Sequence, residues 1–223
     1  MDKKGEIDYL SKIVQPDISV ITPIFKDYKN GNISVEQSNI LSFKNLKYSK
    51  YELDMYVKKN VRFRKGFLEF YNYINDMGID FKIVSSGVDF YILSALISLG
   101  ISIDNISIMS GNSTFDDQGI QIKYYDPLHN IIESDFKLTY TNTHRDQYSK
   151  IIYLGDSLTD LDSSLKADYV FATDKLNNYY AKNNLNYAKD FVHFEKIAGK
   201  AKKNNIFITN SKSNSPPRHI VTF

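Results

Sequence analysis

The chain of 223 residues contains no cysteine. That excludes thiolate catalysis, cysteine-zinc sites and disulfides, and it fits an intracellular setting. Tryptophan is also absent, while Tyr, Asn, Lys and Ile are abundant; this bias carries no functional signal. No apolar run is long enough to cross a bilayer, and the polar start Met1-Asp2-Lys3-Lys4 does not read as a signal peptide. Charge of one sign is lacking too. The formal net charge is +2, so bulk electrostatics makes no case for nucleic acid or membrane as a partner. His129, His193 and His219 show no metal-ligand spacing. No internal repeat is visible. A cytoplasmic protein is the expectation these absences leave.

What is present is concentrated in Ile151-Ile152-Tyr153-Leu154-Gly155-Asp156-Ser157-Leu158-Thr159-Asp160. An apolar strand runs into a glycine, and two carboxylates follow four residues apart. In an open α/β sheet, ligands bind at the carboxyl ends of the strands. Two aspartates there suit a hard cation such as Mg²⁺, which takes oxygen ligands and keeps several waters. The plainer reading is that Asp160 caps the next helix and Asp156 ends the strand.

The rest of the chain supplies the frame. Residues 6–60 read as helical. Ile7, Leu10, Ile13 and Val14 share one helix face, and Pro16 ends or restarts that element. A second helix stops near Asn30-Gly31, Ser34 with Gln37 resembles a capping box, and 50–60 reads as a further helix. After Arg64 the pattern alternates. A helix spans 66–77, a strand Phe81–Val84 stops at Ser85-Ser86-Gly87, and a helix spans 90–99. Residues 106–108 are strand-like, and Asp116 to Gly119 turns between strands at 112–115 and 120–125. Strands at 151–154 and 169–172 flank a helix from Asp160 to Lys166. Such alternation predicts an α/β fold with a parallel sheet. The expected organisation is a helical cap over 1–63, an α/β core over 64–203 and a loosely ordered tail over 204–223.

Two further positions join the aspartates. Ser85-Ser86-Gly87, between a strand and a helix start, offers a hydroxyl and backbone N–H groups to a phosphate; an ordinary strand-to-helix turn is the plainer reading. Lys137 offers a point cation and lies 19 residues before Asp156 (156 − 137). His144-Arg145-Asp146 reads as an exposed loop. Arg62, Arg64 and Lys65 read as a solvated hinge between cap and core.

Strand-Ser, then Lys, then strand-Gly-Asp-x-x-x-Asp resembles motifs II, III and IV of the haloacid dehalogenase (HAD) superfamily of phosphatases. Ile83 to Ile92 is similar to the Ser-Gly-Gly-Phe-Asp-Phe-Tyr segment of its phosphoserine-phosphatase-like branch. Gly155 to Asp160 resembles the Gly-Asp-Ser-x-Thr-Asp of the methionine-salvage enolase-phosphate phosphatases within it. The likeness covers roughly residues 6–195. It implies a HAD-like Rossmannoid parallel sheet flanked by helices, with an inserted helical cap and a small β-hairpin. It also implies a Mg²⁺-dependent phosphatase of a small phosphorylated metabolite. Ser85, Ser86, Gly87 and Lys137 would bind phosphate, and Asp156 and Asp160 would hold the metal. Ser85, Lys137 and Asp160 would take part in catalysis, and the cap would close over the substrate. A phosphoserine phosphatase is the alternative within the class.

Such phosphatases begin with a strand delivering Asp-x-Asp-Gly-Thr, whose first Asp forms an aspartyl-phosphate. This motif I is missing from the chain. Asp17 follows a helical pattern and has Ser19 where the second Asp belongs. The family places the missing strand between those carrying Ser85 and Asp156, so that position is expected to be empty or improvised, with Ile206 to Thr209 as one candidate to fill it. Two readings stand at this point. The start is truncated and the full protein is an enzyme, with the chain as given inactive. Or the loss is genuine, and the protein binds a phosphorylated ligand or partner without turning it over.

Overall fold

The computed structural model describes residues 17–187 and 219–222, which form two compact units. In chain order the elements are α1 (Ile18–Lys29), α2 (Val35–Lys44), α3 (Lys50–Asn60), α4 (Phe67–Asp76), β1 (Asp80–Val88), α5 (Asp89–Ser98), β2 (Ser107–Asp116), β3 (Gly119–Tyr125), β4 (Ile131–Ile132), α6 (Phe136–Gln147), β5 (Lys150–Gly155), α7 (Leu161–Ser164), β6 (Tyr169–Ala172), α8 (Asp174–Lys182) and β7 (His219–Thr222).

The first unit contains α1 to α3, Ser85–Asn105 and Met109–Phe136. Its three leading helices start where side chains cap them. Asp17 accepts the Ser19 N–H at 2.9 Å and the Ser19 hydroxyl at 2.5 Å, so this carboxylate caps α1. Ser34 with Gln37, and Ser49 with Glu52, form reciprocal capping boxes, each worth about 1 kcal/mol. An antiparallel meander β2-β3-β4 follows α5. Its hairpin closes at Gly119 with φ 122°, where a Cβ would stand 2.1 Å from the Lys44 carbonyl; only glycine fits there. Phe90 packs edge-on against Phe43 and Phe115 at centroid distances of 6.0 and 5.6 Å. Tyr124 meets Phe136 at 5.2 Å.

The second unit contains Phe63–Val84, Ile106–Ile108 and the described residues from Lys137 onward. Four parallel strands run in the order β1-β7-β5-β6. Ile151, Ile152, Tyr153 and Leu154 are fully buried, as expected of a parallel strand covered on both faces. Each such apolar side chain contributes about 1.5–3 kcal/mol by burial. From α4, the rings of Phe67, Phe70 and Tyr71 surround Phe81 of β1 at 5.8–6.4 Å. Val170 and Ala172 of β6 pack on Leu176 and Tyr180 of α8.

The position expected to be empty or improvised is occupied by a segment of the tail. β7 lies between β1 and β5, parallel to both, with Ile220 opposite Asp80 on one side and Ile151 on the other. The last part of the tail expected to be loose is therefore a central strand. Ile206 to Thr209, and the helix read around Ile7 to Val14, lie outside the described residues. Other expectations shift locally. β1 does not stop at Val84 but continues to Val88, and residues 107–108 belong to the same strand as 112–115, with Ile106 just before it. The helix read from Asp160 to Lys166 is a single turn, α7, preceded by a 3-10 turn at Leu158–Asp160.

His144 is not on an exposed loop. It is buried on α6, between the rings of Tyr140 and Tyr148, and its Nδ1 has no hydrogen-bond partner. Burial, with the nearby Lys82 charge, lowers its pKa to about 4. The folded state thus keeps it neutral, while the unfolded state binds a proton near pH 6.5. Stability is fully present above the unfolded value and is lost as pH falls from there toward 4. The loss approaches about 3 kcal/mol. Denaturant unfolding at pH 7 and pH 4 should show wild type losing about that much more than His144→Leu.

Candidate active-site halves

In the first unit, Ser85, Ser86 and Gly87 form the last part of β1. Ser86 is buried and held on every side. Its hydroxyl donates to Glu36 Oε1 at 2.9 Å. Its carbonyl accepts from Asn39 Nδ2 at 2.7 Å and from the Tyr124 hydroxyl at 2.6 Å. Asn39 Nδ2 also reaches the Tyr124 hydroxyl at 2.9 Å. The Ser85 hydroxyl accepts the Gly87 N–H at 3.0 Å. A Cβ on Gly87 would fall 1.8 Å from the Tyr91 hydroxyl, so a larger residue there would push the end of the Tyr91 side chain aside. Asp89 opens α5 and accepts from Ser113 N–H and its hydroxyl at 3.1 and 2.5 Å. The N-cap position, Val88, supplies no side-chain hydrogen bond, and in the first turn the Phe90 N–H donates to Asp89 Oδ1 at 2.7 Å. Glu36, Asn39 and Tyr124 were not legible as partners of Ser86, because their pairing is entirely tertiary.

In the second unit, β5 delivers the two aspartates. Gly155 is required because a Cβ there would stand 2.8 Å from Asp160 Cβ and Cγ. Ser157 and Asp160 form a capping box across the 3-10 turn. Asp160 is 1% exposed and each of its oxygens takes two donors. Oδ2 accepts the Asp156 and Ser157 N–H groups at 3.1 and 2.9 Å. Oδ1 accepts Lys137 Nζ at 2.6 Å and the Tyr153 hydroxyl at 2.9 Å. Burial pushes the Asp160 carboxyl up, but the Lys137 charge and its hydrogen bond, the Ser157 N–H and the Tyr153 hydroxyl outweigh it. The carboxyl is held below the usual range. Burial, and then Asp160 itself, push the Tyr153 phenol well above its usual value, so it stays a donor.

Asp156 differs from its neighbour. Its side chain is 52% exposed, and Oδ2 lies 3.4 Å from Arg64 Nη2. That same nitrogen lies 2.9 Å from Asp174 Oδ2. Burial of the surrounding loop and the Asp160 charge raise the Asp156 carboxyl, against Lys137 and Arg64, which lower it. The fold thus brings together Lys137, Asp156 and Asp160, and places Ser85, Ser86 and Gly87 in the other unit. It adds Tyr153, Arg64 and Asp174. Arg64 leads into α4 as an ion-pair partner rather than a solvated hinge, and Asp174 stands alone in sequence with no motif to mark it.

A divalent cation fits the donor chemistry at Asp156, a partly exposed carboxylate just past a strand's carboxyl end. Among the described residues no three His, Cys, Asp or Glu side chains converge as a complete cage. Mg²⁺ needs none, since one or two carboxylates, waters and a phosphate satisfy it. Asp160, with four donors on two oxygens, acts by holding the loop that presents Asp156.

Among known proteins, the sequence profile of the family described as pyrimidine 5′-nucleotidase (UMPH-1) matches residues 35–192. The 2-hydroxy-3-keto-5-methylthiopentenyl-1-phosphate phosphatase of Bacillus thuringiensis (strain Al Hakam) is 28% identical over 139 residues, covering 61% of this chain and 62% of the relative. The chain thus spans under two thirds of that relative's length. In structure, a phosphoserine phosphohydrolase-like protein from Francisella tularensis subsp. tularensis SCHU S4 superposes with a TM-score of 0.61 at 19% identity, covering 89% of this chain and 93% of that one. Cytosolic 5′-nucleotidase IIIB, bound to cytidine, gives 0.57 at 15% identity, covering 84% and 74%.

Proposed function

Because the chain belongs to the pyrimidine 5′-nucleotidase (UMPH-1) family of HAD-like phosphatases, we propose that it handles a small phosphomonoester with Mg²⁺. The observation that carries this is the contrast between the two aspartates of β5. One is fully consumed by structure and the other is presented to solvent. Asp156 would hold the metal, and Asp160 would support it through the loop. When bound, Mg²⁺ would supply positive charge to the phosphoryl oxygens. Lys137 sits against Asp160 Oδ1 and would add fixed positive charge for a phosphoryl group. In the other unit, Ser85 would offer its hydroxyl to a phosphate, with Ser86 and Gly87 shaping the turn that presents it. Such positioned charge is most of what phosphoryl transfer requires.

Transfer through an aspartyl-phosphate would need a carboxylate at the end of the central strand. The described residues of β7 are His219, Ile220, Val221 and Thr222, none of which is one. In a second reading, the same groups bind a phosphorylated ligand without turnover. A panel of pyrimidine nucleoside 5′-monophosphates, phosphoserine and p-nitrophenyl phosphate, assayed for phosphate release with and without Mg²⁺, separates the two. Mg²⁺-dependent release from any member supports the phosphatase. Mg²⁺-dependent binding without release supports the ligand-binding protein.

A further inference from the structure

Arg64 is the feature that neither reading absorbs. Its guanidinium bridges two carboxylates, at 2.9 Å from Asp174 Oδ2 and 3.4 Å from Asp156 Oδ2. Its side chain is 21% exposed, while the two carboxylates are 52% and 55% exposed. Asp174 holds a left-handed backbone, φ 48°, that few residues other than glycine adopt. The chain around it is tied to the same loop by its backbone. Thr173 N–H donates to the Gly155 carbonyl and Leu176 N–H to the Asp156 carbonyl, both at 3.1 Å. The start of α8 is therefore held against the Asp156 loop, and the Asp174 carboxylate is presented to the guanidinium.

We infer that Arg64 is a resident counter-cation for Asp156. It competes with a divalent cation for that carboxylate, and Asp174 retains the guanidinium when the cation arrives. The inference rests on the metal reading above. The two N–H donors of Nη2 let that one nitrogen meet both acids, and the shorter distance lies on the Asp174 side. A cation that took Asp156 would break only the longer contact. Arg64 and Asp174 are thus positioning residues that set cation affinity.

The test is calorimetric titration of the full chain with Mg²⁺ alone. Arg64→Met should bind Mg²⁺ about two- to fivefold tighter than wild type, the span expected of losing one partly exposed competing ion pair. Asp174→Asn should bind it more weakly by a similar factor, since Asp174 then no longer draws the guanidinium away from Asp156. Arg145→Met, which removes a cation paired to Asp168 at 2.7 Å and not to Asp156, should match wild type. Thermal unfolding confirms that each variant is folded, and Asp174→Asn serves if Arg64→Met is not. If wild type binds and Asp156→Asn does not, but Arg64→Met binds no tighter, the inference fails alone. If wild type binds no Mg²⁺, it falls together with the metal reading. An Arg145→Met as tight as Arg64→Met would also overturn it, because bulk charge and not competition would then explain the gain.

Discussion

Deleting residues 219–223 should abolish cooperative unfolding of the α/β unit or lower its melting temperature by at least about 10 °C. β7 is a short strand, but it pairs on both sides, with β1 through Asp80, Phe81 and Lys82 and with β5 through Lys150 to Tyr153. Removing it strips backbone partners from two neighbours that are otherwise covered. At about 1 kcal/mol net per hydrogen bond, the lost pairing costs about 4–6 kcal/mol. The exposed flank of the buried run Ile151–Leu154 adds to that. A normal domain has about 5–15 kcal/mol in all. Circular dichroism during heating reads the result. A deletion variant that melts as the full chain does would show that β7 is dispensable and that its place between β1 and β5 does not hold the unit together.

Lys137→Met should destabilise the protein by about 3–5 kcal/mol, the cost of leaving one member of a buried ion pair alone. Asp160 is at the centre of this. Its carboxylate is buried, and Lys137 is the charge that keeps it ionised. Without the lysine the carboxyl should take up a proton well above its wild-type range. The N–H groups of Asp156 and Ser157 would then face a weaker acceptor. Stability that depends on ionised Asp160 is present above the unfolded carboxylate pKa and is lost as pH falls through the depressed folded value, so wild type should keep this contribution at pH 5 while the variant has already lost it. Urea unfolding at pH 7 and pH 5 tests both. A loss below about 1 kcal/mol at pH 7 would mean that the pair contributes no more than an exposed one.

How much of this could be read in advance follows from where the information lies. Ile151–Leu154 and Tyr169–Ala172 were legible as strands because parallel strands buried on both faces leave unbroken apolar runs. The Ser34 and Gln37 box was legible because its two side chains are three residues apart. β7 was not, since a four-residue strand after a Ser- and Pro-rich stretch is decided by its neighbours rather than by its own pattern. His144 was misread because charged neighbours suggested a surface loop, whereas α6 turns that one residue inward. At the site, Asp156 and Asp160 stood out together, but nothing in their spacing distinguishes the presented carboxylate from the consumed one. That difference comes from Lys137, Tyr153, Arg64 and Asp174, which are up to 110 residues away from the groups they meet. Glu36 and Asn39 belong to the same class: ordinary polar residues on a helix until the fold sets them against Ser86.

The central claim is that Asp156 presents a Mg²⁺-dependent phosphate site, whatever the site then does with the ligand. Calorimetric titration of the full chain with inorganic phosphate, with and without saturating Mg²⁺, in wild type and Asp156→Asn, tests it most directly. The account predicts that phosphate binds wild type only when Mg²⁺ is present, and that Asp156→Asn, folded and equally stable, loses at least tenfold in affinity, about 1.4 kcal/mol. Binding of equal strength with and without Mg²⁺, or binding unchanged in Asp156→Asn, would contradict it.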